Sequence, residues 1–155
     1  MSRVNDLIAM TKDRAKHIIE VHGQEHIPML LIDCPEGVSI IGFADMNDQV
    51  KEMFSKIVSR LLRQHKATAY VWVCEGWAAE DEAADKIYKQ GGRISDLPLD
   101  DRSEILQMVV CEKGQPPWMI HAKIHNTPQG RKVGDYEELK PPEGSIEGRM
   151  VVTNW

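Results

Sequence analysis

The sequence predicts an α+β fold, in which one antiparallel β-sheet of about five or six strands carries two main helices packed chiefly on one face. Two apolar stripes with helical spacing stand among several short β-rich runs. Two pairs of those runs flank short turn sequences, which favours hairpins and therefore antiparallel strands. A chain of 155 residues can bury one sizeable core, so residues 1–155 are interpreted as a single domain.

The first half of the chain predicts a helix, a hairpin and a second helix. Residues 3–22 carry apolar residues at helical spacing. Residues 27–34 and 38–44 are apolar runs around a Pro-Glu-Gly turn, which predicts a hairpin. The second helix begins after Asn47 or Asp48, either of which can cap it, and its apolar stripe is expected to pack on the sheet.

The third strand, residues 67–77, is apolar on both faces, which predicts a position in the middle of the sheet. A short surface helix is expected over residues 80–90, and residues 105–111 and 118–124 form a second hairpin. A right-handed crossover through the second helix makes the third strand antiparallel to the first. The predicted order of strands across the sheet is therefore 2-1-3-4-5.

The turn of the second hairpin predicts its register. Pairing Lys113 with Pro116 sets Glu104 opposite His125. The same pairing assigns one set of alternating residues to the core face: Ile105, Gln107, Val109, Cys111, Trp118, Ile120, Ala122 and Ile124.

The C-terminal part of the chain is rich in Gly, Pro and charge. Residues 126–148 are interpreted as a long connection that is either mobile or in contact with a partner. Residues 149–155 are compatible with a last strand that ends on Trp155.

The net charge of the chain is concentrated in one segment. Residues 75–104 hold nine Asp or Glu against four Lys or Arg, a net charge of −5, and −5 is also the net charge of the whole chain. Within the sequence, this segment is the strongest indication of a functional surface. An acidic chain lacks the clustered cations that bind phosphates, so no nucleic-acid partner is expected.

Location is predicted from cysteine usage and from hydropathy. The three cysteines form no Cys-x-x-Cys motif, and an odd number of them is typical of buried thiols in a reducing compartment. Charged residues interrupt the first thirty positions, and no apolar run approaches membrane-spanning length. A cytoplasmic protein without a membrane contact is expected.

The common catalytic fingerprints are missing: there is no P-loop, dinucleotide-binding glycine motif, nucleophile elbow or His-Glu-x-x-His sequence. No cofactor is predicted. His17, His22 and His26 lie close in sequence, but Gly23 interrupts their helical spacing, so capping or surface histidines are favoured over a metal site. No metal is predicted.

A candidate site combines the end of the third strand with the start of the fourth. Neighbouring strands would bring carboxylates, an imidazole and an indole to one edge of the sheet, where they could perform acid–base work or hold a divalent cation. The catalytic candidates are Glu75, Asp101, Glu104 and His125, and the binding candidates are Trp77 and Arg102. The alternative is structural, with a cross-strand Glu–His pair, an ion pair of the arginine, and the indole covering the sheet end.

Cys74-Glu75-Gly76-Trp77, followed by Asp101-Arg102-Ser103-Glu104, resembles a pattern in small uncharacterised prokaryotic and phage α+β proteins. In those proteins a strand ends Ser-Glu-x-Trp, and Asp-Arg-x-Glu precedes the next strand; this chain has Cys in place of the Ser. The resemblance covers roughly residues 67–125 and implies no activity.

Three functional hypotheses follow. The first is a non-catalytic binding module for a protein or small ligand, with a homodimer through the C-terminal segment and last strand as one form of it. The second is a small hydrolase that uses the four catalytic candidates in acid–base or metal-assisted chemistry. The third is an acidic regulator of a nucleic-acid enzyme, which requires the charge of residues 75–104 to be gathered on one surface.

Overall fold

The computed structural model describes residues 3–139, 151, 152 and 155, without the side chain at position 81. Within these residues the helices are α1 (Arg3–Lys16), α2 (Asp48–Gln64) and α3 (Asp81–Lys89). The strands are β1 (Met29–Cys34), β2 (Gly37–Gly42), β3 (Ala69–Ala78), β4 (Ser103–Glu112), β5 (Trp118–Thr127) and β6 (Gly130–Leu139). No helix among the described residues is both long enough and apolar enough to cross a membrane.

All six strands form one antiparallel sheet in the order β2-β1-β3-β4-β5-β6. The predicted order of the first five strands is confirmed, and β6 is added beyond β5. β3 lies inside the sheet and pairs with β4 from Ala69 opposite Glu112 to Ala78 opposite Ser103. The α+β class with a single antiparallel sheet is therefore confirmed.

The two main helices begin and end where their sequences predict. α1 continues into one π-helical turn, His17–Val21, and Gly23 follows with a φ of +62°, the left-handed conformation that glycine adopts without a Cβ clash. α2 is capped by Asn47 rather than Asp48, because the Asn47 side chain accepts a hydrogen bond from the backbone N–H of Val50 at 2.9 Å.

The helices cover opposite faces of the sheet, so the expected packing chiefly on one face is not observed. α1 packs in a cluster with Leu31 and Val71, whereas α2 packs with Ile32 and Trp72. Neighbouring residues of a strand point to opposite faces, so these two clusters lie on either side of the same strands. β1 and β3 are apolar on both faces, and each face needs its own cover.

The register between β4 and β5 differs by one residue from the prediction. Ile105 lies opposite Lys123, and Val110 lies opposite Trp118. The tight turn closes earlier than expected, since Gln115 donates its backbone N–H to Glu112 at 3.0 Å. A shift of one residue exchanges the two faces, so Glu104 is not paired with His125.

The core face of this hairpin is consequently the other set of alternating β4 residues. The side chains that pack under α1 are Leu106, Met108, Val110, Ile120 and Ile124. Val109 and Cys111, which the predicted register places on that face, are buried on the α2 side.

The interpretation of residues 126–148 as a connection is wrong for its first part. β5 extends to Thr127, and residues 130–139 form β6, with Thr127 opposite Gly130 across a two-residue turn. Only Val133 and Tyr136 of β6 pack against the core, so this edge strand has the polar composition that is typical of a loop. Residues 140–148 lie outside the described residues.

The described end of the chain packs on the α2 face without forming a strand. The buried Val152 donates its backbone N–H to the Tyr70 hydroxyl at 2.7 Å. The Trp155 indole donates to the carbonyl of Ala67 at 2.8 Å. The last strand expected over residues 149–155 is therefore absent at 151 and 152, and most of its other positions lie outside the described residues.

Candidate functional site

The candidate site residues divide into two groups. Trp77 lies opposite Glu104 in the β3–β4 ladder, and Glu75 shares their face, which is the α1 side. His125 lies on the other face, where it lines a groove together with Asp101. The four catalytic candidates Glu75, Asp101, Glu104 and His125 therefore do not converge.

Glu75, Arg131 and Glu104 form what we call the carboxylate cluster. Arg131 makes a bidentate ion pair with Glu75: Nη2 donates to Oε1 at 2.5 Å, and Nη1 donates to Oε2 at 3.2 Å. The same Nη2 donates to Glu104 Oε1 at 3.3 Å. The hydrogen bond to Glu75 raises the pKa of Arg131 further above its ordinary value. The arginine thus remains charged and neutralises much of the repulsion between the two carboxylates.

Further donors complete the carboxylate cluster. The backbone N–H of His26 donates to Glu75 Oε2 at 2.5 Å, and the Asn126 amide donates to Glu104 Oε2 at 3.1 Å. Glu75 is only 10 % exposed and Glu104 27 %. The hydrogen bonds and ion pairs therefore satisfy both carboxylates without a ligand.

The two binding candidates stack on each other beside this cluster. The Arg102 guanidinium lies 4.1 Å from the centre of the Trp77 ring and also donates to the backbone carbonyl of Ser95. This contact joins the segment before β4 to the end of β3. It agrees with the structural alternative for Trp77, whereas Arg102 stacks on the indole instead of pairing with an acid.

Sequence reasoning missed Arg131, the residue that joins the two carboxylates. Arg131 lies in the segment that was interpreted as a connection, 56 positions from Glu75. The sequence signal for this strand was weak, because Val133 and Tyr136 are the two large apolar residues of 131–137 and their three-residue spacing, across an irregularity in the ladder, breaks the alternation of a strand.

His26 is a buried histidine next to the carboxylate cluster. Its side chain is 2 % exposed in the fold, and its Nδ1–H donates to the carbonyl of Ile27 at 2.8 Å. Burial lowers the pKa of His26 below its ordinary 6.5, and Arg14 lowers it further, while the Ile27 carbonyl and Glu75 oppose the shift. The folded protein therefore holds this imidazole in its neutral form at neutral pH.

This burial predicts a pH dependence of stability. The unfolded chain binds a proton at His26 more readily than the folded chain, so this contribution is complete above pH 6.5 and is lost as the pH falls toward the lower folded pKa. We expect the free energy of unfolding to fall less between pH 7 and about pH 5 in a His26→Asn variant, measured by urea titrations. His22→Asn, at an exposed position, is the control. Equal slopes for wild type and H26N contradict the prediction.

The second group of residues lines an open groove of about 1080 Å³. One wall is the segment from β3 to β4, including α3, and the floor is the face of β4, β5 and β6 opposite α1. His121 and His125 both point into it from β5. His121 Nε2 lies 3.2 Å from Glu137 Oε2. His125 packs across Gly134, where an added Cβ would lie 3.0 Å from Nε2 of the imidazole.

The groove is strongly acidic. Five lining carboxylates come from the segment between the strands, and two come from β6: Glu80, Glu82, Asp96, Asp100 and Asp101, with Asp135 and Glu137. Against these seven, the described lining residues include three cations, Lys86, Arg102 and Lys123. Five of the nine acidic residues between 75 and 104 thus line one surface.

The thiols of the chain have structural surroundings. The three cysteines are unpaired, and burial raises the pKa of the Cys74 and Cys111 thiols, which is the reverse of an activated nucleophile. Among the described residues no group of three His, Cys, Asp or Glu side chains is placed to hold a metal ion.

Comparisons with known proteins add no functional information. The chain matches no family model, no curated protein and no solved structure at a significant level.

Proposed function

We propose that the protein is a non-catalytic binding module whose acidic groove receives a positively charged segment of a protein partner. The observation that carries the proposal is the imbalance of seven carboxylates against three cations around one open groove. Such a concentration of like charge attracts cations and speeds their diffusional encounter. A volume of about 1080 Å³ has room for several side chains of a peptide.

The partner expected from this chemistry is a stretch rich in Lys and Arg. Asp100 and Asp101 are exposed in the short helical turn Leu99–Asp101 and are available to form ion pairs. A protein surface that ordinarily binds nucleic acid is one source of such a stretch, so an acidic regulator of a nucleic-acid enzyme is a special case of this proposal. A cytoplasmic location, as the cysteines predict, is part of it.

Catalysis finds less support. Hydrolase chemistry at the predicted residues requires the carboxylates and His125 in one site, and Glu75 and Glu104 lie across the sheet from His125. Both carboxylates are already paired with Arg131. A structural role for the carboxylate cluster accounts for these contacts without a substrate.

The binding proposal is tested with a fluorescein-labelled octa-arginine peptide in an anisotropy titration. Binding is expected to weaken steeply with salt, and the double variant Asp100→Asn/Asp101→Asn should weaken it roughly tenfold at low salt, since each charge contributes about 0.5–1 kcal/mol.

The matched control removes the same charge elsewhere. Glu36→Gln/Glu52→Gln changes two exposed carboxylates, in the β1–β2 turn and on α2, and should leave the affinity nearly unchanged. If both double variants lose affinity equally, binding follows net charge and the groove is not the site. A wild-type protein that binds octa-glutamate as well as octa-arginine also excludes the proposal.

A further inference from the structure

The two edges of the sheet differ in how they are protected against pairing. β6 has an irregularity in its pairing with β5 near Lys123. It also carries five charged residues: Arg131, Lys132, Asp135, Glu137 and Glu138. β2, with the sequence Gly-Val-Ser-Ile-Ile-Gly, carries no charge and no proline. Edge strands of soluble proteins usually avoid partners by charges, proline or bulges. β2 has none of these devices along its six residues.

The hairpin determines which groups of β2 face outward. Phe43 donates its backbone N–H to the carbonyl of Pro28 at 2.8 Å, so this residue points toward β1. In an antiparallel pair, alternate residues bond to the same neighbour, so Ser39 and Ile41 also bond to β1. The backbone N–H and C=O groups of Val38 and Ile40 therefore point away from the sheet.

Apolar side chains accompany these outward backbone groups. Val38 is 36 % exposed and Ile40 is 40 % exposed. Both lie on the α1 face of β2, since Ile40 is opposite Leu31 of the α1 cluster. The β2 edge thus offers hydrogen-bonding groups and an apolar strip together.

We propose that two copies of this chain associate by antiparallel pairing of β2 with β2, with Ile40 at the two-fold axis. In this register each Ile40 exchanges backbone hydrogen bonds with Ile40 of the second copy, and Val38 pairs with Gly42 of the second copy. All the outward groups of the strand then find partners, and the exposed valine and isoleucine side chains lie against each other.

Charge favours a second copy as the occupant of this edge. A symmetric interface places the central residue opposite itself, so any charge there would face a like charge. Residues 37–42 carry no such penalty. The proposed interface therefore lies on β2 and not on the C-terminal segment through which the sequence predicted a homodimer.

The first test is the mass in solution. Sedimentation equilibrium of the full chain should show a monomer–dimer equilibrium at micromolar concentrations, and Ile40→Lys should abolish the dimer. Leu139→Lys places the same charge on an exposed apolar residue of the other edge strand and should leave the dimer intact. A wild-type chain that remains monomeric up to roughly 0.5 mM overturns the proposal.

A second test separates symmetric pairing from a loss of folding. Ile40→Lys and Ile40→Glu should each be monomeric alone, and an equimolar mixture should regain a dimer, because position 40 faces only itself. A mixture that stays monomeric, or a dimer lost in Leu139→Lys instead, excludes β2 pairing. If β2 binds a peptide strand from another protein and the chain does not associate with itself, the proposal of a β2–β2 dimer is also overturned.

Discussion

Replacing Arg131 with methionine is expected to lower the free energy of unfolding by about 3 kcal/mol. The Arg131 side chain is 20 % exposed, and its guanidinium makes ion pairs with Glu75 at 2.5 Å and Glu104 at 3.3 Å. Without it two carboxylates remain close together, and one of them is only 10 % exposed. Leaving a buried charge unpaired costs more than the ion pair itself contributes. Urea unfolding followed by circular dichroism measures the loss.

The partner variants distinguish an unpaired charge from lost packing. Glu75→Gln combined with Arg131→Met should cost less than the sum of the two single changes, because the double variant no longer leaves the Glu75 carboxylate without its cation. Arg131→Lys keeps the positive charge but loses the bidentate hydrogen bonds to Glu75, so an intermediate decrease in the free energy of unfolding is expected. An Arg131→Met variant within about 0.5 kcal/mol of wild type would mean that solvent screens the cluster.

The carboxylate cluster could be predicted from the sequence only in part, because its two glutamates were identified and its arginine was not. The pattern around Glu75 and Glu104 identified residues that do lie together, because β3 and β4 are neighbouring strands that pair along their whole length. Arg131 reaches Glu75 only after two further strands have added to the sheet. Such a contact depends on long-range pairing, which local patterns do not specify.

The register of the second hairpin shows the same limit in a single residue. The order of the strands follows from hairpins and a right-handed crossover, and both are visible in the sequence. The register depends on how the turn around Gly114 closes, and two alternatives differ by one residue. Since β4 is apolar at both Leu106 and Val109, either choice buries apolar side chains, and the pattern could not decide between them. The incorrect register is the reason why His125 was predicted to lie opposite Glu104.

The sequence also did not determine which face of the sheet each helix covers. A core substitution in α2 tests how this helix packs on the sheet. Phe54→Ala is expected to lower the free energy of unfolding by about 3–5 kcal/mol. The Phe54 side chain is fully buried in α2, with its ring 4.7 Å from the Trp72 ring and 6.0 Å from the Phe43 ring. Removing the ring leaves a cavity between α2 and the sheet and eliminates an edge-on contact with Trp72 and a tilted contact with Phe43.

The neighbouring residue supplies the control for this prediction. Met53 lies one position earlier on α2 and is 46 % exposed, so Met53→Ala should change stability by less than about 0.5 kcal/mol. Thermal and urea unfolding of both variants measure the difference. If α2 packed on the α1 face instead, Phe54 would have no contact with Trp72, whose neighbours Val71 and Val73 point to the other side. A coupling between Phe54→Ala and Trp72→Ala in a double-mutant cycle is therefore expected, and additive effects would contradict the placement of α2 opposite α1. Equal effects of Phe54→Ala and Met53→Ala would contradict the burial of Phe54.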